Sequence, residues 1–380
     1  MKLGVFVIAD NIFSPIGATS AGNFIQLKNG ISGIKQHHDP TVSERPFYAS
    51  LFDKKVVDDL EKSDKYTFFE QLIIASVTDA ISKCDIDLTD ERTLFIISTT
   101  KGSISLLETE PFDAELQKRI ALPYSAQLIA DHFGFVNKPL VISNACISGV
   151  MAIITGMRLI KAGQYDKVVV TGADVISRFI LSGFEAFDAI SSVPCRPFDR
   201  DRDGITLGEG AATVILSSKS NSAENIKVLG GAVSNDANHL SAPSRTGEEL
   251  AMAIEKTLAM ANVAASEIDL LSAHGTATIY NDEMEAKAIT LAGMQNTPAN
   301  SLKGYYGHTL GAAGLIESIV SMHSLKENTI IPTLGFKETG TPDPLNIFGG
   351  VTTGNFINCV KTASGFGGCN AALLFTKQLN

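Results

Sequence analysis

The sequence predicts a layered α/β protein built from two related halves. An apolar helical stripe followed by a short β-type run occurs at residues 68–97 and again at 248–276. In both places a further helix, a short apolar run and a glycine-bearing helix follow. Each half closes on small residues that lead into a buried strand, at 205–218 and 363–375. Such alternation is typical of sheets covered by helices on both faces.

The repeat divides the chain into an N-terminal half, residues 1–220, and a C-terminal half, residues 221–380. In layered α/β proteins, chemistry gathers at the strand ends where loops from both halves meet. We therefore looked for reactive side chains at the junctions between strands and helices.

Composition excludes several classes of function. The chain has 380 residues, 44% of them hydrophobic, which suits a large buried core. A net charge of −10 disfavours a nucleic-acid partner. No apolar run approaches the roughly 18 residues of a membrane helix. The short apolar stretch after Lys2 is interrupted by Asp10, so it is interpreted as a first buried strand rather than a secretion signal.

The five cysteines form no CxxC pair, so neither a disulfide framework nor a metal site is expected. Reduced thiols and a cytoplasmic location follow as the expectation. Among these cysteines, Cys146 lies just after a predicted buried strand and at the first turn of a glycine-bearing helix. Backbone N–H groups and partial positive charge at a helix N-terminus favour a reactive thiolate and can hold an oxyanion. Taken alone, the segment fits a small apolar core residue better.

Two histidines lie in turns rich in glycine, threonine and serine, at matching ends of predicted strands. His274 ends LLSAHGTAT, and His308 lies in LKGYYGHTLGAAG. Two neutral imidazoles can stabilise the enolate that forms when a malonyl thioester loses carbon dioxide. A hydrolase would instead use one histidine as base with an orienting carboxylate. Asp282 and Glu285 lie near enough in sequence to play that part, so spacing leaves both open.

Together these segments resemble the β-ketoacyl–acyl carrier protein synthases of the thiolase-like fold. ACISG at Cys146, RPFDRDRDGITLGEGA at 196–211, AHGTAT at His274, SLKGYYGHTLGAAGLIE and the C-terminal GFGGCNA occur in the family's order over nearly the whole chain. The resemblance implies a layered α-β-α-β-α arrangement. It also implies decarboxylative condensation of an acyl thioester with malonyl–acyl carrier protein.

The resemblance also implies a role for each matching residue. Cys146 would hold the acyl group, and His274 and His308 would support malonyl decarboxylation. Lys303 would assist them, paired with Glu317 as structural support. Thr276 and Thr278 would bind the phosphopantetheine arm of the carrier protein, and Phe366 would gate the acyl pocket and share the oxyanion hole with Cys146.

The resemblance further implies an acyl carrier protein as partner, and a homodimer or a heterodimer with a related ketosynthase-like subunit. No bound cofactor is expected beyond the carrier's pantetheine arm. Two departures stand out. Ala277 replaces a glycine and would place a methyl where the pantetheine arm should pass, and Cys369 replaces the more common threonine. They suggest a specialised branch, such as a polyene pathway.

Two other readings remain open at this stage. A non-catalytic partner resembling a chain-length factor typically lacks the nucleophile, which this chain has. A coenzyme A thiolase uses a second cysteine near its C-terminus. Cys369 is the one feature of the sequence that supports this hypothesis.

Overall fold

The computed structural model describes residues 4–60, 65–220, 222, 225–237 and 240–378. The strands of this part of the chain are β1 (Phe6–Phe13), β2 (Ile34–His37), β3 (Phe47–Ser50), β4 (Thr93–Ser98), β5 (Leu140–Ile142), β6 (Lys167–Asp174), β7 (Leu207–Gly208), β8 (Gly210–Ser217), β9 (Ile226–Asn235), β10 (Leu270–Ser272), β11 (Ala299–Asn300), β12 (Thr329–Ile330), β13 (Thr352–Thr353), β14 (Asn358–Gly365) and β15 (Cys369–Lys377).

The α-helices are α1 (Ser20–Lys28), α2 (Lys54–Leu60), α3 (Phe68–Ile81), α4 (Leu106–Thr109), α5 (Ala114–Arg119), α6 (Leu122–Phe133), α7 (Ser148–Lys161), α8 (Arg178–Glu185), α9 (Glu248–Ala261), α10 (Ile279–Leu291), α11 (Lys303–Tyr306) and α12 (Ala313–Lys326). Short 3₁₀ turns cover Ala265–Glu267 and Leu310–Ala312.

The main sheet shows the predicted repeat directly. The N-terminal half contributes strands in the order β5-β4-β6-β8-β1, and the C-terminal half in the order β11-β10-β14-β15-β9. In each half the first three strands are parallel, and the last two are antiparallel to their neighbours. A short antiparallel pairing of β1 with β9 joins the two sets. We propose the boundary near residue 220, between β8 and β9.

Helices α7 and α12 form the middle layer, because they pack against each other and against strands of both halves. Almost every side chain of α12 is buried, as expected for a helix enclosed on all sides. On the outer faces, α3 and α6 cover the N-terminal strands, and α9 and α10 cover the C-terminal strands. This is the α-β-α-β-α arrangement that the sequence resemblance implied.

Local sequence explains where the outer helices begin and end. Thr67 and Glu70 form a capping box at the start of α3, satisfying two backbone N–H groups. Gly134 ends α6 in the left-handed conformation that favours glycine, with φ of 76°.

One expected element differs in its surroundings. The strand before Cys146, predicted to be buried, is β5, which lies at the edge of the sheet and leaves Leu140 exposed. An apolar run of three residues cannot distinguish an inner strand from an edge strand. Within the described ranges, no helix has the length and apolar character needed to cross a membrane.

Candidate active site

Cys146 lies in a tight turn between β5 and α7. Ala145 adopts a left-handed φ of 44°, and helix α7 begins at Ser148, slightly later than predicted. The Ser148 hydroxyl fixes the turn by accepting from the amide of Asn144 at 2.8 Å and donating to the carbonyl of Ala145 at 2.6 Å. A Cβ on Gly365 would lie 2.9 Å from the Cys146 nitrogen, so glycine lets the C-terminal loop approach the nucleophile.

The ionisation of Cys146 differs from the sequence expectation. The thiol is buried, and burial raises its pKa to about 12, with the nearby Cys369 as the next cause. A position just before a helix favours negative charge, but the loss of hydration on burial is the larger effect here. The resting form is therefore the thiol, a correction to the predicted thiolate.

His274 follows β10, and a buried ammonium determines its tautomer. The Lys303 Nζ lies 3.3 Å from its Nδ1 and 2.5 Å from its backbone oxygen. Because an ammonium only donates, Nδ1 accepts, and the ring proton resides on Nε2. Burial, with Lys303 as the second cause, holds the pKa of His274 well below its usual 6.5. His274 is therefore a neutral donor through Nε2.

His308 reaches the same state with a different partner. It follows helix α11 rather than ending a strand, contrary to the prediction. The amide of Leu310 donates to its Nδ1 at 3.2 Å, so Nε2 again carries the proton. That Nε2 is buried and has no hydrogen-bond partner among the described residues. Burial, followed by the charges of Lys303 and Lys361, also holds the pKa of His308 well below 6.5.

The structure brings Cys146, His274 and His308 together. Their ligand-type atoms all lie within 4.8 Å of one another, and the two imidazole centroids are 5.2 Å apart at 82°. All three line one cleft of about 390 Å³. A substrate oxygen in this cleft can receive two N–H bonds close to a nucleophilic sulfur.

A buried ionic cluster lies next to His274, outside the lining of the cleft. Glu317 lies 2.7 Å from both the Lys303 and the Lys361 ammonium. Lys303 does not line the cleft and contacts His274 instead. Sequence reasoning missed Lys361, which also donates to the carbonyls of Ser272 and Ala273. A lone lysine in the apolar run of β14 was the available signal, because buried charges require partners.

The acidic residues that a hydrolase would need serve the backbone instead. Glu285 accepts from the amides of His274 and Gly275, both at 2.7 Å. Asp282 accepts from the amide of Thr276 at 2.9 Å. Since the Nδ1 atoms of both imidazoles already accept hydrogen bonds, neither ring can donate through Nδ1 to an orienting carboxylate. This geometry disfavours the hydrolase alternative.

The remaining predicted binding residues line the mouth of the cleft. The Thr276 and Thr278 hydroxyls lie 2.8 Å apart at its wall. Phe366 is 40% exposed, and its ring packs on Phe184 at 5.7 Å and on Phe187 at 5.4 Å between centroids. Phe184 and Phe187 were not singled out from sequence, because nothing local indicates that the end of α8 and the turn after it face Phe366.

Both departures from the family pattern point away from the cleft. Ala277 has a left-handed φ of 64°, which turns its methyl into a small cluster with Ile34 and Cys195. Ala277 does not line the cleft, which argues against the expected obstruction of a pantetheine arm. Cys369 is buried, and its thiol contacts the carbonyls of Phe366 and Asn144 behind Gly365. It does not line the cleft, which counts against a thiolase-type role.

The three reactive side chains also have the composition of a metal-ligand set. Metal coordination requires an unprotonated ring nitrogen and a thiolate. The bonds to both Nδ1 atoms leave Nε2 protonated, and the Cys146 thiol has a raised pKa. The Lys303 ammonium and the Leu310 amide thus prepare these imidazoles to donate rather than to ligate.

Comparisons with known proteins identify the family of this chain. Residues 49–222 match the model of the β-ketoacyl synthase N-terminal domain, and residues 226–337 match that of the C-terminal domain. The 3-oxoacyl-[acyl-carrier-protein] synthase 2 of Vibrio cholerae is 30% identical, covering 99% of this chain and 100% of the relative. The chain belongs to the β-ketoacyl synthase family.

Solved structures show the same fold. The ishigamide ketosynthase/chain length factor structure aligns with a TM-score of 0.89 at 26% identity, over 99% of both chains. A β-ketoacyl synthase from Burkholderia phymatum aligns with a TM-score of 0.90 at 23% identity, over 99% of this chain and 100% of that chain. These similarities establish the thiolase-like fold.

Proposed function

We propose that this protein is a β-ketoacyl–acyl carrier protein synthase. It joins an acyl group held on Cys146 to a malonyl unit in fatty acid, polyene or polyketide biosynthesis. The observation that carries the proposal is the convergence of one sulfur and two imidazoles, both protonated on Nε2, in one buried cleft.

In the first step, Cys146 Sγ attacks the carbonyl carbon of an acyl thioester. Backbone N–H groups of Cys146 and Phe366 would hold the oxyanion, since the Phe366 loop packs on the Cys146 turn through Gly365. The tetrahedral intermediate collapses, the carrier leaves as a thiol with the proton from Cys146, and the acyl group remains on sulfur.

In the second step, the bond between the malonyl α-carbon and its carboxylate breaks and carbon dioxide leaves. The electron pair moves onto the thioester oxygen, where the Nε2–H groups of His274 and His308 stabilise the enolate. The α-carbon then attacks the acyl carbonyl on Cys146. Collapse of this adduct releases the β-ketoacyl thioester, and the sulfur departs as thiolate and takes up a proton from solvent.

An acyl carrier protein is the proposed source of both substrates. The Thr276 and Thr278 hydroxyls can hydrogen-bond the amide groups of a pantetheine arm along the cleft wall. Arg245 and Lys287 flank an adjoining pocket at the mouth, where positive charge would favour an acidic carrier despite the chain's negative net charge.

We propose that the enzyme works as a homodimer or with a related ketosynthase-like subunit. The edge strand β5 pairs only with β4 among the described strands, and its Leu140 is exposed, as is nearby Val136. An open, apolar sheet edge favours pairing with another chain. The cytoplasm remains the proposed compartment, because all five cysteines are free.

The test supplies the protein with the same acyl group on acyl carrier protein and on coenzyme A, and measures its intact mass. We expect an acyl adduct from the carrier protein, and a β-ketoacyl product after malonyl–acyl carrier protein is added. An adduct that forms only from coenzyme A would indicate a thiolase. The absence of an adduct from either donor would indicate a non-catalytic partner.

The two steps should depend differently on pH. Because the pKa values of His274 and His308 lie well below 6.5, both rings stay neutral, and malonyl decarboxylation should change little between about pH 6 and 8. Acylation should accelerate over the same range. The raised pKa of Cys146 lies above it, so the fraction of thiolate increases throughout as the pH rises. Single-turnover measurements of each step check this. A decarboxylation rate that falls with rising pH would require an imidazolium donor.

A further inference from the structure

A buried carboxylate links the strands of the N-terminal half to the turn that carries His308. Asp174 ends β6 and is fully buried. Its Oδ2 accepts from the amide of Gly311 at 2.6 Å, across the boundary between the halves. Gly311 belongs to the 3₁₀ turn directly after His308. The sequence pattern of the family did not point to Asp174, and none of the steps above uses it.

Each hydrogen-bond partner that the described residues offer this carboxylate is a donor. The hydroxyls of Thr99 and Thr100 donate at 2.8 and 3.1 Å, and the amides of Thr100 and Lys101 donate at 3.0 and 3.3 Å. An acceptor-only carboxylate satisfies all of them. An asparagine at this position would place its NH₂ group, itself a donor, opposite at least one of these donors.

The turn held by Asp174 sets the direction of one amide. Leu310 has a left-handed φ of 51°, a conformation that is unfavourable for a non-glycine residue and needs support from its surroundings. Gly311 on its C-terminal side is fixed by Asp174 through its nitrogen and by Ser98 through its oxygen, at 3.2 Å. The Leu310 amide consequently points at His308 Nδ1.

From this chain of contacts we propose that Asp174 is a positioning residue that fixes the Nε2–H tautomer of His308. Asp174 holds Gly311, Gly311 holds the strained Leu310, and the Leu310 amide occupies His308 Nδ1. Loss of the anchor would let the turn relax and let the proton move to Nδ1, so that Nε2 no longer donates into the cleft. The inference rests on the proposed enolate role of His308.

The test compares Asp174→Asn with the wild-type enzyme. We expect malonyl decarboxylation to fall by about tenfold or more, by analogy with the loss of orienting partners of metal-binding histidines. Acylation of Cys146 should stay close to wild type. Nitrogen NMR of the histidines should show protonated Nδ1 appearing for His308. Thr100→Val is the matched control, because it removes a donor to Asp174 without touching Gly311.

Unchanged decarboxylation and an unchanged His308 tautomer in folded Asp174→Asn would overturn the inference. Should that variant fail to fold, Ser98→Ala removes only the second anchor of Gly311, and it should lower decarboxylation while sparing acylation; equal rates would again count against the idea. Normal decarboxylation in His308→Ala would defeat the proposed function itself, which keeps the two failures distinguishable.

Discussion

Replacing Cys146 with alanine is expected to abolish acyl transfer completely. Among the five cysteines, only Cys146 lines the cleft that contains the two imidazoles. Alanine retains the turn at the start of α7, because the Ser148 hydroxyl bonds only to backbone atoms there. Intact-mass measurement after incubation with acyl–acyl carrier protein should therefore show no adduct, while the thermal unfolding midpoint stays near that of wild type.

Cys369→Ala is the matched control for that experiment. Cys369 is also a buried residue, but its thiol faces backbone carbonyls behind Gly365. We expect this variant to be acylated like the wild type. An acyl adduct on the Cys146→Ala variant would contradict the assignment of Cys146. Loss of acylation in Cys369→Ala alone would identify Cys369 as the nucleophile instead.

The second large effect is expected for His308→Ala, which should load the acyl group normally but lose malonyl decarboxylation. Its Nε2–H is buried and has no partner in the described part of the chain, so a substrate oxygen is the acceptor it is poised to meet. Removing one donor from an oxyanion site costs about a hundredfold to a thousandfold in rate. Release of labelled carbon dioxide from malonyl–acyl carrier protein measures this step separately from acylation.

His132→Ala provides the comparison for a histidine outside the site. His132 lies on the outer helix α6, where its ring packs against Tyr66. Its removal should leave both steps unchanged. If His308→Ala released carbon dioxide at the wild-type rate, the enolate role assigned to His308 would be wrong.

The features that local sequence pattern could predict are those that depend on neighbours in the chain. The repeated helix and strand segments became α3 with β4 and α9 with β10, and the repeated order extends to the whole sheet. The motifs around Cys146, His274 and His308 indicated three residues that the fold brings together. Their roles stay predictions until the variants are measured.

The features that sequence missed depend on contacts between distant segments. The Lys361 ammonium meets Glu317 only because β14 and α12 pack together. The direction of the Ala277 methyl follows from the positive φ of this residue. A single departure from a sequence motif does not reveal that backbone angle. The thiol pKa of Cys146 rises because surrounding elements exclude water, although its position before a helix suggested the opposite.

A crystal structure of the acylated enzyme with a non-decarboxylating malonyl-pantetheine analogue tests the central claim most directly. We expect the analogue's thioester oxygen within about 3.2 Å of Nε2 in both His274 and His308, with the acyl carbonyl carbon on Cys146 facing the malonyl α-carbon. An oxygen that contacts neither ring, in a complex with Cys146 acylated, would contradict the account.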